Sequence, residues 1–387
     1  MLPGCRDPPY ASRHGKILPF KNLQTFLLLY HIDLKKATPK KLAPQRAAVY
    51  NRNMDMQATY IVTGCTGYVG NVLTKKLLAE GCRVRGLARS REKAARIFGD
   101  NAPALVFGDI ADDAALDALF AGEGPFIVIH TIAKVTIGEG SRKELYDVTV
   151  EGTRAVVAHC IKTHAKLLHI SSTEAPGGVF DEDVHYVPDP SRCDTDYARA
   201  KAEADKIVLD AAKEQRLDAS VLLFASVLGP GDYSNSHMTQ MMIEFIEGRL
   251  PASVKGGYND FDIRDVADVL PAIIGRAQAG ESYIFAHKPD EINDVLAVIA
   301  EMTGRRVPKT LPLWVAKLGA PFLMLAAKLR GKRPLYTSAA LKSLEARADF
   351  PIGKSVRAFG FAPRPLEETV RDHVRFLLDE GMTHLKD

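Results

Sequence analysis

An α/β fold, a doubly wound parallel sheet followed by a smaller, mostly helical C-terminal lobe, is the class this sequence predicts. Three observations predict it. Short apolar, β-rich runs alternate with amphipathic helical stretches between residues 59 and 224, and that alternation calls for a parallel sheet covered on both faces by helices. The runs are continuously apolar, as strands buried on both faces must be. A glycine-rich turn, Thr63-Gly64-Cys65-Thr66-Gly67-Tyr68-Val69-Gly70, joins the first run to the first helix.

The elements follow in order. Thr59 to Val62 is a strand that ends in the glycine turn, and Val69 to Ala79 an amphipathic helix. Cys82 to Ala88 is the second strand and Arg91 to Phe98 the second helix. Leu105 to Phe107 is the third strand, ending at Gly108-Asp109-Ile110. Asp112 to Phe120 is helical, with Leu116 and Leu119 on one side. Phe126 to His130, apolar but for the histidine and bounded by Gly-Pro, is a fourth, buried strand. Leu145 to Thr163 is a helix, and Lys166 to Ile170 a fifth strand leading to Ser171-Ser172. Asp196 to Glu214 is helical and Ser220 to Phe224 the sixth strand. Beyond Gly229-Pro230-Gly231 helical patterns dominate, with strand-like pieces near 260–263 and 282–286 expected to return to the sheet. The implied division is a nucleotide-binding domain over 58–231 and a substrate lobe over 232–387. Leu313 to Leu329 is an apolar, cationic helix interrupted by Pro321 and carrying the only tryptophan, Trp314. Lys317 and Pro321 argue against a span. The helix is expected to line the substrate pocket or an interface, with peripheral membrane contact as the alternative.

Composition narrows the function classes. The chain of 387 residues allows one large domain or two intimate ones, and its 46% hydrophobic and 25% charged residues are those of a soluble globular protein. The net charge is +4, but residues 1–57 alone hold ten Lys/Arg against three Asp. No basic run is interleaved with aromatics, so a nucleic-acid surface is not expected. The five cysteines are scattered and never at metal-ligand spacing, which predicts no metal site and a reducing, cytoplasmic setting. Residues 1–57 mix Pro, Arg and Lys around one apolar run, Phe26 to Ile32, too short to cross a bilayer. No small-residue cleavage site follows it. A disordered extension ahead of a start at Met54 or Met56 is the expectation.

The glycine turn follows a strand and opens a helix, the context in which such a motif binds a dinucleotide. Gly64 permits the tight turn, Gly67 lets main chain approach a pyrophosphate, and Gly70 lets helix and strand pack closely. The main chain of Thr66, Tyr68 and Val69 completes the cradle at the helix N-terminus. These features make the sheet Rossmann-type. The second strand of such folds normally ends in an acid that binds the adenosine ribose. Here it runs into Leu87-Ala88-Arg89-Ser90-Arg91. Arg89, supported by Ser90, is placed for a 2′-phosphate, which favours NADP(H) over NAD(H). Asp109 and Ile110 fall at the adenine edge.

Tyr197 and Lys201 stand four residues apart on a helix and therefore share a face. A tyrosine titrates near 10, so proton exchange near neutrality needs a drop of roughly three units, about 4 kcal/mol. A cation about 4 Å away at an effective dielectric of ~20 supplies that much. Lys201 is thus expected to tune Tyr197 as general acid or base and to hold the nicotinamide ribose. Ser172, at the end of the fifth strand, can hold a carbonyl oxygen.

Together these motifs resemble the extended short-chain dehydrogenases/reductases of the NAD-dependent epimerase/dehydratase superfamily. Within it the chain is most similar to bacterial dihydroflavonol-reductase-like and 3β-hydroxysteroid-dehydrogenase-like proteins. The resemblance covers residues 57 to 383. It rests on Gly64-Cys-Thr-Gly-Tyr-Val-Gly70, Val128-Ile-His-Thr-Ile-Ala133, Val150-Glu-Gly-Thr153, Ile170-Ser-Ser172, Tyr197-Ala-Arg-Ala-Lys201, Leu228-Gly-Pro-Gly-Asp232, Asp262-Ile-Arg-Asp-Val-Ala267 and Phe359-Gly-Phe-Ala-Pro-Arg-Pro365. It implies that Tyr197, Lys201 and Ser172 are catalytic, and that Thr131 to Ala133 and Phe224 to Val227 border the nicotinamide. Homodimers are common in the family. Two positions depart from its pattern: Thr149 stands where an Asn is usual, and Leu223-Phe224 where Arg-Pro is usual.

The function expected is NADPH-dependent reduction of a ketone or aldehyde, with hydroxysteroid dehydrogenation as a subcase. The alternatives are a nucleotide-sugar epimerase or dehydratase that retains NAD, and a non-catalytic NADP-binding sensor. Ser172-Thr173-Glu174 partly matches the dehydratase pattern, but Thr173 replaces its Asp.

Overall fold

Seven parallel strands form the central sheet of the computed structural model, which describes residues 54–134, 141–177, 186–329, 335, 337, 341, 344 and 348–385. The expected extension at 1–57 therefore lies outside the described residues up to position 53. From position 54 onward the chain packs as one compact unit.

The N-terminal part alternates strands β1 (Thr59–Thr63), β2 (Arg83–Ala88), β3 (Ala104–Phe107), β4 (Phe126–His130), β5 (Lys166–Ser172) and β6 (Ala219–Phe224) with helices α1 (Tyr68–Ala79), α2 (Arg91–Phe98), α3 (Asp113–Leu119), α4 (Arg142–Tyr146), α5 (Gly152–Thr163) and α6 (Asp196–Glu214). One π-turn, Asp147–Glu151, makes α4 and α5 continuous. After the two-residue strand β7 (Val227–Leu228) come α7 (His237–Ile246), β8 (Ser253–Val254), β9 (Phe261–Asp262), α8 (Ile263–Arg276), β10 (Ser282–Phe285), α9 (Ile292–Thr303), β11 (Thr310–Leu311), α10 (Leu313–Leu329), α11 (Gly353–Phe359) and α12 (Leu366–Asp379).

The strand order is β10-β6-β5-β4-β1-β2-β3. It reverses between β1 and β4, and such a switch point opens a crevice at the carboxyl ends of the strands. Strands β1, β4 and β6 are buried throughout, whereas the edge strands β3 and β10 are not. That difference explains why the interior strands read as unbroken apolar runs. The segment near 282–286 supplies β10, which pairs with β6. The segment near 260–263 does not join the sheet. As β9 it pairs with β7 in a separate ladder, Val227 with Phe261 and Leu228 with Asp262, because the chain reaches it after leaving the sheet at β6.

The C-terminal lobe is fastened to the sheet by aromatics and ion pairs. Phe359 and Phe361 meet Phe285 of β10 with centroids 6.1 and 5.0 Å away. Arg364 holds Asp265 of α8 at 2.6 Å. The closing family-like stretch is thus a clasp. Helix α10 turns Ala316 and Ala320 inward and Trp314, Leu318 and Phe322 outward. Small residues are thus the ones facing the protein, and of the roles expected for the helix the outward Trp314 does not favour pocket lining. No helix among the described residues is long and apolar enough to cross a membrane.

Candidate active site

The glycine turn has the shape a dinucleotide phosphate requires. Gly64 has φ +73°, open to glycine at little cost. A Cβ on Gly70 would lie 2.1 Å from the Gly64 carbonyl oxygen, so helix and turn can approach this closely only without one. At Gly67, the N-cap of α1, a Cβ would meet nothing within 4 Å except that same oxygen at 3.1 Å. The space before it is open, and α1 starts there with no side-chain cap and no acid in its first turn. This is a cradle for an anion. Asn71 fixes it from behind, donating to the carbonyls of Gly67, Tyr68 and Gly231 at 2.7 to 2.9 Å. Thr131 secures the other side, its hydroxyl donating to the Thr63 carbonyl at 2.7 Å.

At the adenosine end Arg89 is exposed and sits 3.6 Å from the Asp109 carboxylate. Ser90 caps α2, accepting from Lys93 N at 3.0 Å, and donates to Glu92 at 2.8 Å. Arg91 lies over the Phe107 ring at 4.0 Å. Ile110 is buried in the core. Ala133 lies in the loop after β4, which Thr149 pins: its hydroxyl accepts from Lys134 N at 3.2 Å. The Thr149 hydroxyl therefore has a structural partner of its own.

Helix α6 carries the chemical groups. Thr195 caps it, accepting from Ala198 N at 3.0 Å, which places Tyr197 in the first turn. The Tyr197 phenol is hydrogen-bonded to Ser172. Burial raises its pKa, the Glu174 charge raises it further, and the Ser172 bond opposes the rise. The expected lowering by Lys201 is not what this arrangement produces. The Lys201 amine is buried against the interior strand β5 and donates to the Ile170 carbonyl at 2.7 Å. Burial brings it down to about 8, with Asp205 holding it up against a further fall. Desolvation is the largest influence at both groups, reinforced by carboxylate charge at Tyr197 and opposed by it at Lys201.

The structure adds a buried polar row that the motifs did not announce. Register sets Thr63 of β1 beside His130 of β4, and His130 beside His169 of β5. Thr63 Oγ1 and His130 Nδ1 are 2.6 Å apart, and the two imidazoles stack at 5.3 Å. His169 Nε2 lies 3.3 Å from Asp205 Oδ1, both fully buried. Ser171, two residues along β5 from His169, donates to Asp205 Oδ2 at 2.8 Å, and Tyr186 donates to the same oxygen at 2.9 Å. Burial pushes both histidines down, so they are neutral and Asp205 supplies the charge. The one available signal was spacing: Tyr197, Lys201 and Asp205 repeat every four residues on one face.

Glu174 stands at the cleft mouth, where crowding by protein raises its carboxyl. Its charge also reaches Tyr258, whose ring helps line an apolar cavity with Met238, Met241, Val254 and Ile292. The ring of Phe224 packs against Phe261 and Phe285 at 5.4 and 5.5 Å. What that residue presents upward is main chain, its carbonyl accepting from Thr173 N at 2.9 Å. Val227 continues into β7, half-buried.

Comparison with known proteins agrees with this construction. Over 336 residues the chain is 31% identical to sterol demethylase protein B of Methylococcus capsulatus, covering 84% of this chain and 99% of the relative. It is 27% identical to a putative dihydroflavonol 4-reductase of Synechocystis, covering 86% and 98%. The crystal structure of a nucleoside-diphosphate-sugar epimerase from Pseudomonas aeruginosa shares the fold, with a TM-score of 0.65, 20% identity and coverage of 84% and 99%. Residues 60–285 match the NAD dependent epimerase/dehydratase family. The chain belongs to that family and is an NAD(P)-dependent enzyme of the extended short-chain dehydrogenase/reductase type.

Proposed function

We propose that the protein is an NADPH-dependent reductase of an apolar ketone or aldehyde. The observation that carries this reading is the pairing of the Tyr197 phenol, in the first turn of α6, with the Ser172 hydroxyl at the end of β5. A protonated phenol beside a hydroxyl is a general acid with an orienting partner. Ser172 positions the carbonyl oxygen, and Tyr197 delivers the proton to it as the oxygen gains charge. Lys201, four residues on along α6, would steady the negative charge left on the phenol. A bound nicotinamide dinucleotide supplies the hydride. Gly64, Gly67 and Gly70 would hold its phosphates, Thr131 would border its nicotinamide, and Lys201 would hold its ribose.

Arg89 supports the phosphorylated coenzyme. It is exposed, it ends a strand without an acid, and its contact with Asp109 is long. Relatives named for a sterol and a flavonoid support an apolar substrate. A sugar-nucleotide dehydratase is the second reading, favoured by the Glu174 carboxyl beside Tyr197. Against it, position 173 holds a buried threonine rather than an acid.

Replacing Tyr197 with Phe tests the proposal. Turnover of NADPH with ketones, flavanonols and sterols should fall by about 10²–10⁴, with coenzyme binding unchanged by fluorescence titration. Retained turnover would refute it, and a purified protein that carries bound NAD would favour the dehydratase.

A further inference from the structure

Helix α10 is packed with its small residues inward. Ala316 and Ala320 are 7% and 0% exposed and join the apolar cluster that contains Met238, Met241 and Leu344. Its large residues face out, with Trp314 65%, Leu318 67% and Phe322 76% exposed. The spacing of four sets them along one side as a stripe about 12 Å long. Only eight large apolar side chains are exposed among the described residues, and three of them make this stripe. A helix packed for folding alone turns such residues inward.

Charge says what the stripe meets. From Met302 to Leu329 the sequence has five cations (Arg305, Arg306, Lys309, Lys317, Lys328) and no acid, and it continues without an acid to Leu344. Large apolar side chains with a tryptophan among them, on a helix in a basic stretch, suit a bilayer surface, where the rings enter the headgroup region and cations meet lipid phosphates. A second copy of this chain would set like charges face to face.

We propose that α10 docks the protein on an anionic bilayer, with Trp314, Leu318 and Phe322 as its contacts. The inference stands independently of the reaction, although it suits an apolar substrate, since the cluster under α10 also lines the cavity that leads to Tyr258.

Trp314 is the only tryptophan, so it reports on its own surroundings. The full-length protein is mixed with vesicles of phosphatidylglycerol and phosphatidylcholine in equal parts, or of phosphatidylcholine alone. Flotation and Trp314 emission are recorded with and without added salt, and brominated lipids serve as quenchers. The expected result is flotation with the anionic vesicles, a shift of emission to shorter wavelength, quenching by the brominated lipids, and weakening by salt. The double variant Leu318→Glu/Phe322→Glu keeps the tryptophan and alters only exposed positions. It should bind the anionic vesicles at least about tenfold more weakly, with its melting temperature unchanged. No flotation and no shift would overturn the proposal, and so would a double variant that binds like the parent. An emission shift that follows protein concentration without lipid, together with dimers that the double variant abolishes, would overturn it in favour of a second copy of the chain.

Discussion

Replacing Asp205 with Asn should move the pH at which the enzyme loses activity. Asp205 is fully buried and lies one helical turn beyond Lys201. Side chains at that spacing have Cβ atoms about 5–6 Å apart. A unit charge about 6 Å away at an effective dielectric of ~20 contributes about 3 kcal/mol, or about two pKa units. Lys201 is already lowered to about 8. Without the carboxylate it should titrate near ~6. The sign follows from the base: the cation is present below its pKa and lost as pH rises through it. Reduction that needs the cation beside Tyr197 should therefore decline through about pH 8 in the native enzyme and through ~6 in the variant. At about pH 7 the variant's kcat should be about tenfold lower, recovering towards about pH 5.5. Asn keeps the shape that Ser171 and Tyr186 grip, so the fold should survive with a modest loss of melting temperature. The assay is the kcat–pH profile at saturating ketone and coenzyme. A limb that stays near its native position, or a loss equal at every pH, would refute the reasoning. Asp260, buried and raised to about 7, also titrates in this range, but substitution at Asp205 should leave its limb in place.

Two further outcomes test the coenzyme end. Gly70→Ala forces a Cβ to within 2.1 Å of the Gly64 carbonyl oxygen. Overpacking of this kind costs about 1–3 kcal/mol, so melting temperature should drop and coenzyme binding, followed by fluorescence, should be lost. A variant that binds coenzyme normally would show that the turn is not the cradle. Arg89→Ala removes the guanidinium proposed for the 2′-phosphate. Charge-assisted bonds contribute about 1.5–3 kcal/mol, so KM for NADPH should rise roughly 10- to 100-fold while KM for NADH stays put. An unchanged KM for NADPH would assign Arg89 only its ion pair with Asp109.

Much of the fold was legible because its signals are local. The order of strands and helices up to Phe224 follows from apolar runs and glycine turns, and the placement of Tyr197 and Lys201 on one helix from helical period. What was not legible depends on contacts distant in sequence. Whether Phe261–Asp262 joins the sheet depends on where β7 leaves it, which no periodicity records. The orientation of α10 was not legible because its inward face is alanine, which hydropathy does not distinguish from the outward Trp314, Leu318 and Phe322. The direction of the Tyr197 shift was missed for another reason. Proximity of charge can be inferred from spacing, but desolvation depends on everything packed around the group. The row Thr63–His130–His169 needed strand register, which joins residues 67 and 39 positions apart. His130 alone, in an otherwise apolar strand, hinted at a buried polar partner.

The doublet at the end of β5 draws these threads into one physical account. Ser172 meets the phenol in front, while Ser171 meets Asp205 behind. Successive strand residues point to opposite faces, so one strand end serves two layers. In the front layer a phenol that is protonated at neutral pH is pushed further from ionisation by burial. The rear layer keeps a charge near Lys201 because burial would otherwise strip its proton. A reductase needs both at once, a donor that holds its proton until the carbonyl oxygen turns basic, and a cation to receive the phenolate afterwards. With neutral histidines filling the row behind, Asp205 is the charge that can supply the second condition. On the proposed reductase reading, Tyr197, Lys201 and Asp205 would act as one proton-handling face of α6 rather than as a catalytic pair with a structural neighbour.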